Sequence, residues 1–206
     1  TFGAFETFLF TPNHTSKSGA HIHDAIDLKR TMIVVVLALV PALLFGSWNI
    51  GYQNGLAFGI ERGIFENFLF GFLKLLPLII VSYGVGLGIE FISAQIRGHE
   101  VNEGFLVTGI LIPLILPVNI PLWMVALAVA FAVIFGKEIF GGTGYNIMNV
   151  ALIARAFLFF AYPSQMSGDA VWVYELPGNT PVDGFSGATP LAQVAQGATT
   201  HMASFS

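Results

Sequence analysis

Apolar residues dominate the chain in five stretches separated by short polar connectors. The first runs from Thr31 to about Ile50, slightly irregular near Pro41, and the second from about Phe68 to Ser93. Each is long enough for an α-helix to cross a bilayer, which takes about 20 residues. A connector over residues 51–67, with Glu61, Arg62 and Glu66, lies between them. The third stretch, Phe105 to Leu116, is too short for an ordinary span and has Pro113 inside and Pro117 after it. Val118-Asn119-Ile120-Pro121 parts it from the fourth, Leu122 to Phe135. Broken or half-length helices stand at membrane depth only where they are buried in protein or line a cavity. This pair therefore predicts a transporter-like architecture. The last stretch, Ile147 to Tyr162, carries Asn149 and Arg155, and from Pro163 to Ser206 the chain is polar.

Polar residues inside or beside these stretches are the candidates for chemistry. Lys74 lies near one end of the second stretch and can snorkel to the interface. Glu90 lies near the other end, where it either reaches the headgroups or lines a polar pathway. Gly84, Gly86 and Gly88 precede it at alternate positions. On a helix Gly84 and Gly88 share a face as a small-xxx-small packing pair, with Gly86 on another face. The alternative use for them is close backbone approach by a ligand. Asn146 and Asn149 are three apart and share a face of any helix that includes both. Their amides require partners in an apolar setting, either on a neighbouring helix or on a polar ring system such as an isoalloxazine. Gly141-Gly142-Thr143-Gly144 could form a ligand-holding loop, but its spacing is not that of a P-loop or dinucleotide fingerprint. His21 and His23 could ligate a metal but have no third partner nearby in sequence, so surface or interfacial histidines are the plainer reading.

Composition sharpens the class. The 206 residues are 55% hydrophobic and only 10% charged, against about a quarter charged in a soluble domain. Mean hydropathy is +0.76. These values predict an integral membrane protein. The net charge of −4 rests on few charges, and no basic cluster beyond Lys29-Arg30 suggests nucleic acid. There is no cysteine, hence no disulfide and no thiolate for an iron–sulfur cluster. Any electron handling falls to an organic cofactor. Basic residues gather before the first stretch (Lys17, Lys29, Arg30), after the second (Arg97) and after the fourth (Lys137). With five crossings these share one side, cytoplasmic by the positive-inside rule, and residues 163–206 face outward. The chain starts at Thr1 and is expected to be part of a longer protein.

Within that outer segment, Asp183-Gly184-Phe185-Ser186-Gly187-Ala188-Thr189-Pro190 stands out. Thr189 before Pro190 can simply cap the short helix that Leu191 to Gln196 predicts, with Gly197 as its stop. The segment also resembles the flavin-attachment motif D-x-x-[ST]-G-A-T, with Asp183, Ser186, Gly187, Ala188 and Thr189 matching every specified position. In proteins with that motif a flavin transferase esterifies the FMN phosphate to the threonine hydroxyl. Small neighbours leave the hydroxyl accessible, and a helix N-terminus suits the resulting phosphate diester. The two readings are compatible.

Four further blocks point the same way: Ile26–Arg30, Arg97–Phe105, Gly136–Gly144 and Ala154–Pro163. Together with the Asp183–Thr189 motif they resemble NqrB, the second component of the sodium-translocating NADH:quinone reductase, over nearly the whole chain and its N-terminal half. RnfD of the Rnf ferredoxin:NAD complex is the next closest. The resemblance implies an all-α integral membrane fold of about five transmembrane or half-membrane helices. These form one half of an inverted-repeat bundle like that of urea and ammonium transporters. It implies a cytoplasmic segment over 1–30, a transmembrane repeat over 31–162 and a periplasmic loop over 163–206, in the bacterial inner membrane. It further implies covalent FMN on Thr189, riboflavin near Asn146 and Asn149, quinone near Gly86 and Glu90, and Glu90 on the sodium route. Electrons would pass from NADH-derived donors towards riboflavin and quinone, coupled to sodium translocation. The partners implied are the other components of the reductase (NqrA, NqrC, NqrD, NqrE and NqrF), the flavin transferase, quinone, sodium and lipid. Leu87 departs from the pattern, standing where a second glycine is expected beside Gly86. A flavin-free channel or transporter, or a membrane scaffold, would account for the helices alone.

Overall fold

The computed structural model describes residues 17–20, 28–97, 104–167 and 173–174, and all regular structure among them is helical. Two long helices come first, α1 (Leu28–Phe58) and α2 (Ile64–Arg97). Two short ones follow, α3 (Gly104–Ile115) and α4 (Leu122–Val133), the latter running into a π turn over Ile134–Glu138. Then come α5 (Val150–Ala161) and a single turn, α6 (Pro163–Met166). At 1.5 Å per residue α1 and α2 are roughly 46 and 51 Å long, beyond the roughly 30 Å of hydrocarbon in a bilayer. Helix α3, at roughly 18 Å, falls short of it.

The expected breaks differ from the observed ones at α1. Residues 51–58 continue the helix instead of joining the connector. Their small and polar side chains serve a helix crossing. A Cβ on Gly51 would lie 2.1 Å from the carbonyl oxygen of Asn67, and one on Gly71 would lie 1.8 Å from that of Ser47. The two backbones touch where only glycine permits it, as is common for helices packed in lipid. Helix α2 likewise starts earlier, at Ile64.

Polarity is distributed inside out. Ile33, Val34, Leu37, Leu44 and Phe45 of α1 are exposed, as are Leu73, Ile80 and Ile92 of α2. Ser47, Asn54 and Ser82 are fully buried. A soluble protein inverts this arrangement; a bilayer favours it. The described chain is a membrane protein's helical bundle.

Helix α4 forms the centre. Val125, Ala128, Val129, Ala132 and Val133 are fully buried, packed with Ile112 of α3 and with Ala151, Ala154 and Leu158 of α5. Small residues on α4 and α5 let these helices approach closely. At one end of the bundle Asn54 Nδ2 donates to the carbonyl of Tyr174 (2.7 Å), and Asn119 Nδ2 to that of Val173 (3.0 Å). The Lys74 ammonium reaches the same end, 4.5 Å from the Tyr174 ring centre, as its snorkelling predicts. At the other end the close of α4 meets the close of α2, where Arg97 Nη1 donates to the Glu138 carbonyl (2.6 Å). The described residues therefore pass back and forth five times, with α3 as the short pass. Where α3 stops, its last carbonyl needs a donor. Arg155, midway along α5, supplies one, with Nη1 2.6 Å from the Ile115 oxygen.

The glycine triplet packs otherwise than expected. Cβ atoms on Gly84 or Gly88 would meet nothing within 4 Å, so these two are not the contact pair. Gly86 is buried beneath the Phe105 ring, whose Cζ lies 1.9 Å from where its Cβ would be. Gly109 of α3 in turn receives the ring of Tyr83, 2.6 Å from its Cβ position. The Tyr83 hydroxyl donates to the Leu106 carbonyl (2.5 Å), and the two rings meet edge to face at 6.3 Å. Helices α2 and α3 are thus joined by two aromatic rings, each seated on the other helix's glycine.

Candidate functional site

One stripe of α2 faces the bundle interior at intervals of four residues, through Leu78, Ser82, Gly86, Glu90 and Ala94. Glu90 on this stripe is 4% exposed, so it does not reach for headgroups. Its Oε1 accepts from Lys137 Nζ at 2.5 Å, and Lys137 is itself 5% exposed. Lys137 therefore does not belong with the surface charges counted for membrane orientation.

The π turn explains how Lys137 gets there. Ile139 N donates to Ile134 O at 3.0 Å, the i→i+5 bond that admits one extra residue per turn. Lys137 and Glu138, adjacent in sequence, are both buried. Glu138 accepts from the Ser93 hydroxyl, and its carboxylate lies 3.8 Å from Arg97 Nη1. Ser93 and Arg97 sit one and two turns beyond Glu90 on α2. The arrangement is a chain of alternating charge, Arg97, Glu138, Lys137 and Glu90, running from the rim inward. Two cations and two carboxylates balance, as buried charges require. Sequence reasoning found Glu90 but missed Lys137, Glu138 and Ser93. The only signal was two charges directly after an apolar run, which reads equally well as a connector.

Asn146 and Asn149 share no helical face, because α5 begins at Val150. Asn149 is its N-cap: Oδ1 accepts from Ala151 N (2.9 Å) and Leu152 N (3.2 Å). Asn146 Nδ2 donates locally to the Met148 carbonyl (3.0 Å). Neither amide bonds a neighbouring helix as described. Both lie in the loop after Gly141, Gly142 and Gly144, all of positive φ, where Tyr145, Ile147 and Met148 are exposed. In this loop the Thr143 hydroxyl is buried without a hydrogen-bond partner. The Thr143 side chain packs against Gly104 at the start of α3, so the exposed apolar residues and the two amides are the groups here of a kind that suits a polar ring system.

Gly86 keeps its place on the α2 stripe, but the space over it holds Phe105. Leu87 packs against the core. The motif residues Asp183, Ser186, Gly187, Ala188 and Thr189 lie outside the described residues, as do His21 and His23. At the Tyr174 end a cleft of about 510 Å³ is lined by Tyr52, Leu56, Ile60, Arg62 and Asn67, among others.

Residues 15–206 match the family described as NQR2, RnfD, RnfE. The chain belongs to this family. Similar family members include the B subunit of the Na(+)-translocating NADH-quinone reductase of Ectopseudomonas mendocina, 48% identical over 95% of this chain and 53% of its own length. The B subunit of the same enzyme from Stutzerimonas stutzeri is 48% identical over 93% of this chain and 51% of its own length. That from Azotobacter vinelandii is 44% identical over 95% and 53%. The chain spans about half the length of the curated relatives it matches.

Proposed function

We propose that this bundle works within a sodium-translocating NADH:quinone reductase, as part of its NqrB component. The observation that carries the proposal is a coincidence: a complete flavin-attachment motif stands within a chain similar along 95% of its length to relatives of that kind. Thr189 would hold FMN as a phosphoester, installed by a flavin transferase, and Asp183, Ser186, Gly187 and Ala188 would form the recognition segment around it. Asn146 and Asn149 would hold riboflavin. With Asn149 Oδ1 committed to the helix cap, its Nδ2 is the group to donate to a ring. A flavin, when bound, accepts electrons one at a time and so suits relay between donors and quinone. The protein's part is placement and charge. The buried Glu90 network offers oxygen ligands on the inner half of the bundle; the quinone would approach near Glu90, and Phe105 would have to leave Gly86 for it to reach that glycine. The other components of the complex, NqrA and NqrC to NqrF, would supply the NADH chemistry.

Mass spectrometry of the chain expressed with and without a flavin transferase tests this. The expected result is an FMN-sized adduct on the Thr189 peptide, formed only with the transferase and abolished by Thr189→Ala. No adduct in the presence of active transferase, or an adduct elsewhere, overturns it and favours a flavin-free transporter.

A further inference from the structure

The buried pair of Glu90 and Lys137 has no evident stabilising purpose. Replacing such a pair by apolar residues is commonly neutral or stabilising, because both charges are desolvated. Here the chain also adopts an irregular turn to bring the ammonium in. π turns of this kind recur at functional sites. The second carboxylate, Glu138, has its own cation in Arg97, which is 42% exposed at the rim. Lys137 is thus assigned to Glu90, where it sits as a monovalent cation on a carboxylate.

We propose that Lys137 is a tethered counter-ion: its ammonium occupies the seat that a mobile monovalent cation takes on Glu90, and the two exclude each other. Taking Glu90 as a cation seat, and sodium as its cation, rests on the proposed function. Entry of the ion would displace Nζ from Oε1 towards Glu138, whose other cation, Arg97, is exposed enough to be solvated instead, and departure of the ion would let it return. The buried carboxylate is then never without positive charge, the condition under which it stays ionised. Lys137 is a positioning residue in this scheme, acting through Glu90. Its ammonium sets how much sodium is needed to load the site.

The test is thermal melting of the full chain in detergent across a sodium series, with choline holding ionic strength constant. Lys137→Met removes the competitor at similar length. Its melting temperature is expected to rise with sodium, with a midpoint roughly tenfold or more below that of the parent, given the strength of buried pairs. Adding Glu90→Gln to it should abolish the response. A melting temperature that ignores sodium in Lys137→Met, or a response that survives Glu90→Gln, overturns the proposal. Should Lys137→Met fail to fold, Lys137→Arg decides. A second donor on the carboxylate should raise the sodium midpoint, and a lowered or unchanged midpoint refutes the tethered ion. If sodium stabilises Lys137→Met while Thr189 carries no flavin, the redox reading falls and the cation seat stands.

Discussion

The three glycines before Glu90 allow one substitution to be read with opposite signs within two turns of helix. In Gly86→Ala the new methyl would sit 1.9 Å from Cζ of Phe105. Carbon atoms rest at about 3.5–4.0 Å, so the ring must retreat by roughly 1.6–2.1 Å. Phe105 is 0% exposed and wedged against Tyr83, so it has nowhere to move without shifting α3. Overpacking of this kind costs about 1–3 kcal/mol, and the lack of slack argues for the upper end. Alanine in place of a helical glycine returns up to about 1 kcal/mol. The net is a loss of about 2 kcal/mol, or roughly 4–8 °C in melting temperature for a chain of this size. Gly84→Ala and Gly88→Ala meet nothing within 4 Å. They keep only the propensity gain and should melt roughly 2–4 °C higher. Differential scanning fluorimetry of the three variants in one detergent is the assay. Phe105→Leu, which shortens the obstructing ring, should recover part of the loss when combined with Gly86→Ala. Three variants that shift alike, or a Gly86→Ala protein at least as stable as the parent, would refute the seating of Phe105 on this glycine.

Other predictions concern the helix ends. Arg155→Leu removes the donor to the part-buried Ile115 O; leaving it unsatisfied costs about 1 kcal/mol, the low end for a buried carbonyl, so a thermal melt should show a lower transition. Asn149→Ala should lose about 1 kcal/mol with the N-cap, whereas Asn149→Ser should restore the cap. If the amide also holds riboflavin, Asn149→Ser should remain stable yet yield less flavin on extraction, and equal flavin content would remove Asn149 from that role. Lys137→Met, melted against sodium, tests the tethered ion as set out above.

The large plan was legible because it depends on burial and length. Pro113, Pro117 and Pro121 announced the broken pair α3 and α4, and long apolar runs announced α1 and α2. Detail was legible where one residue type has one local use. Lys74, about three turns into α2 with its ammonium reaching over Tyr174, is such a case. The centre of the site was not. Nothing in Phe135-Gly136-Lys137-Glu138 says that the backbone will widen there, because the π turn is stabilised by tertiary packing and by the carboxylate it reaches. Asn149 was misplaced for a related reason. Apolar Ile147 and Met148 suggested that the helix had already begun, while the asparagine in fact begins it. The role of Gly86 depended on Phe105, nineteen positions away, and periodicity cannot report a partner on another helix.

The pegs formed by Tyr83 and Phe105 also limit how the bundle can move. Sliding α2 along α3 by even one residue, about 1.5 Å, would have to extract both rings from their sockets at once. A piston stroke of α2 is therefore closed to this protein. A change in the surroundings of Glu90 that keeps both rings seated falls to the opposing wall, where Lys137 sits on the π turn.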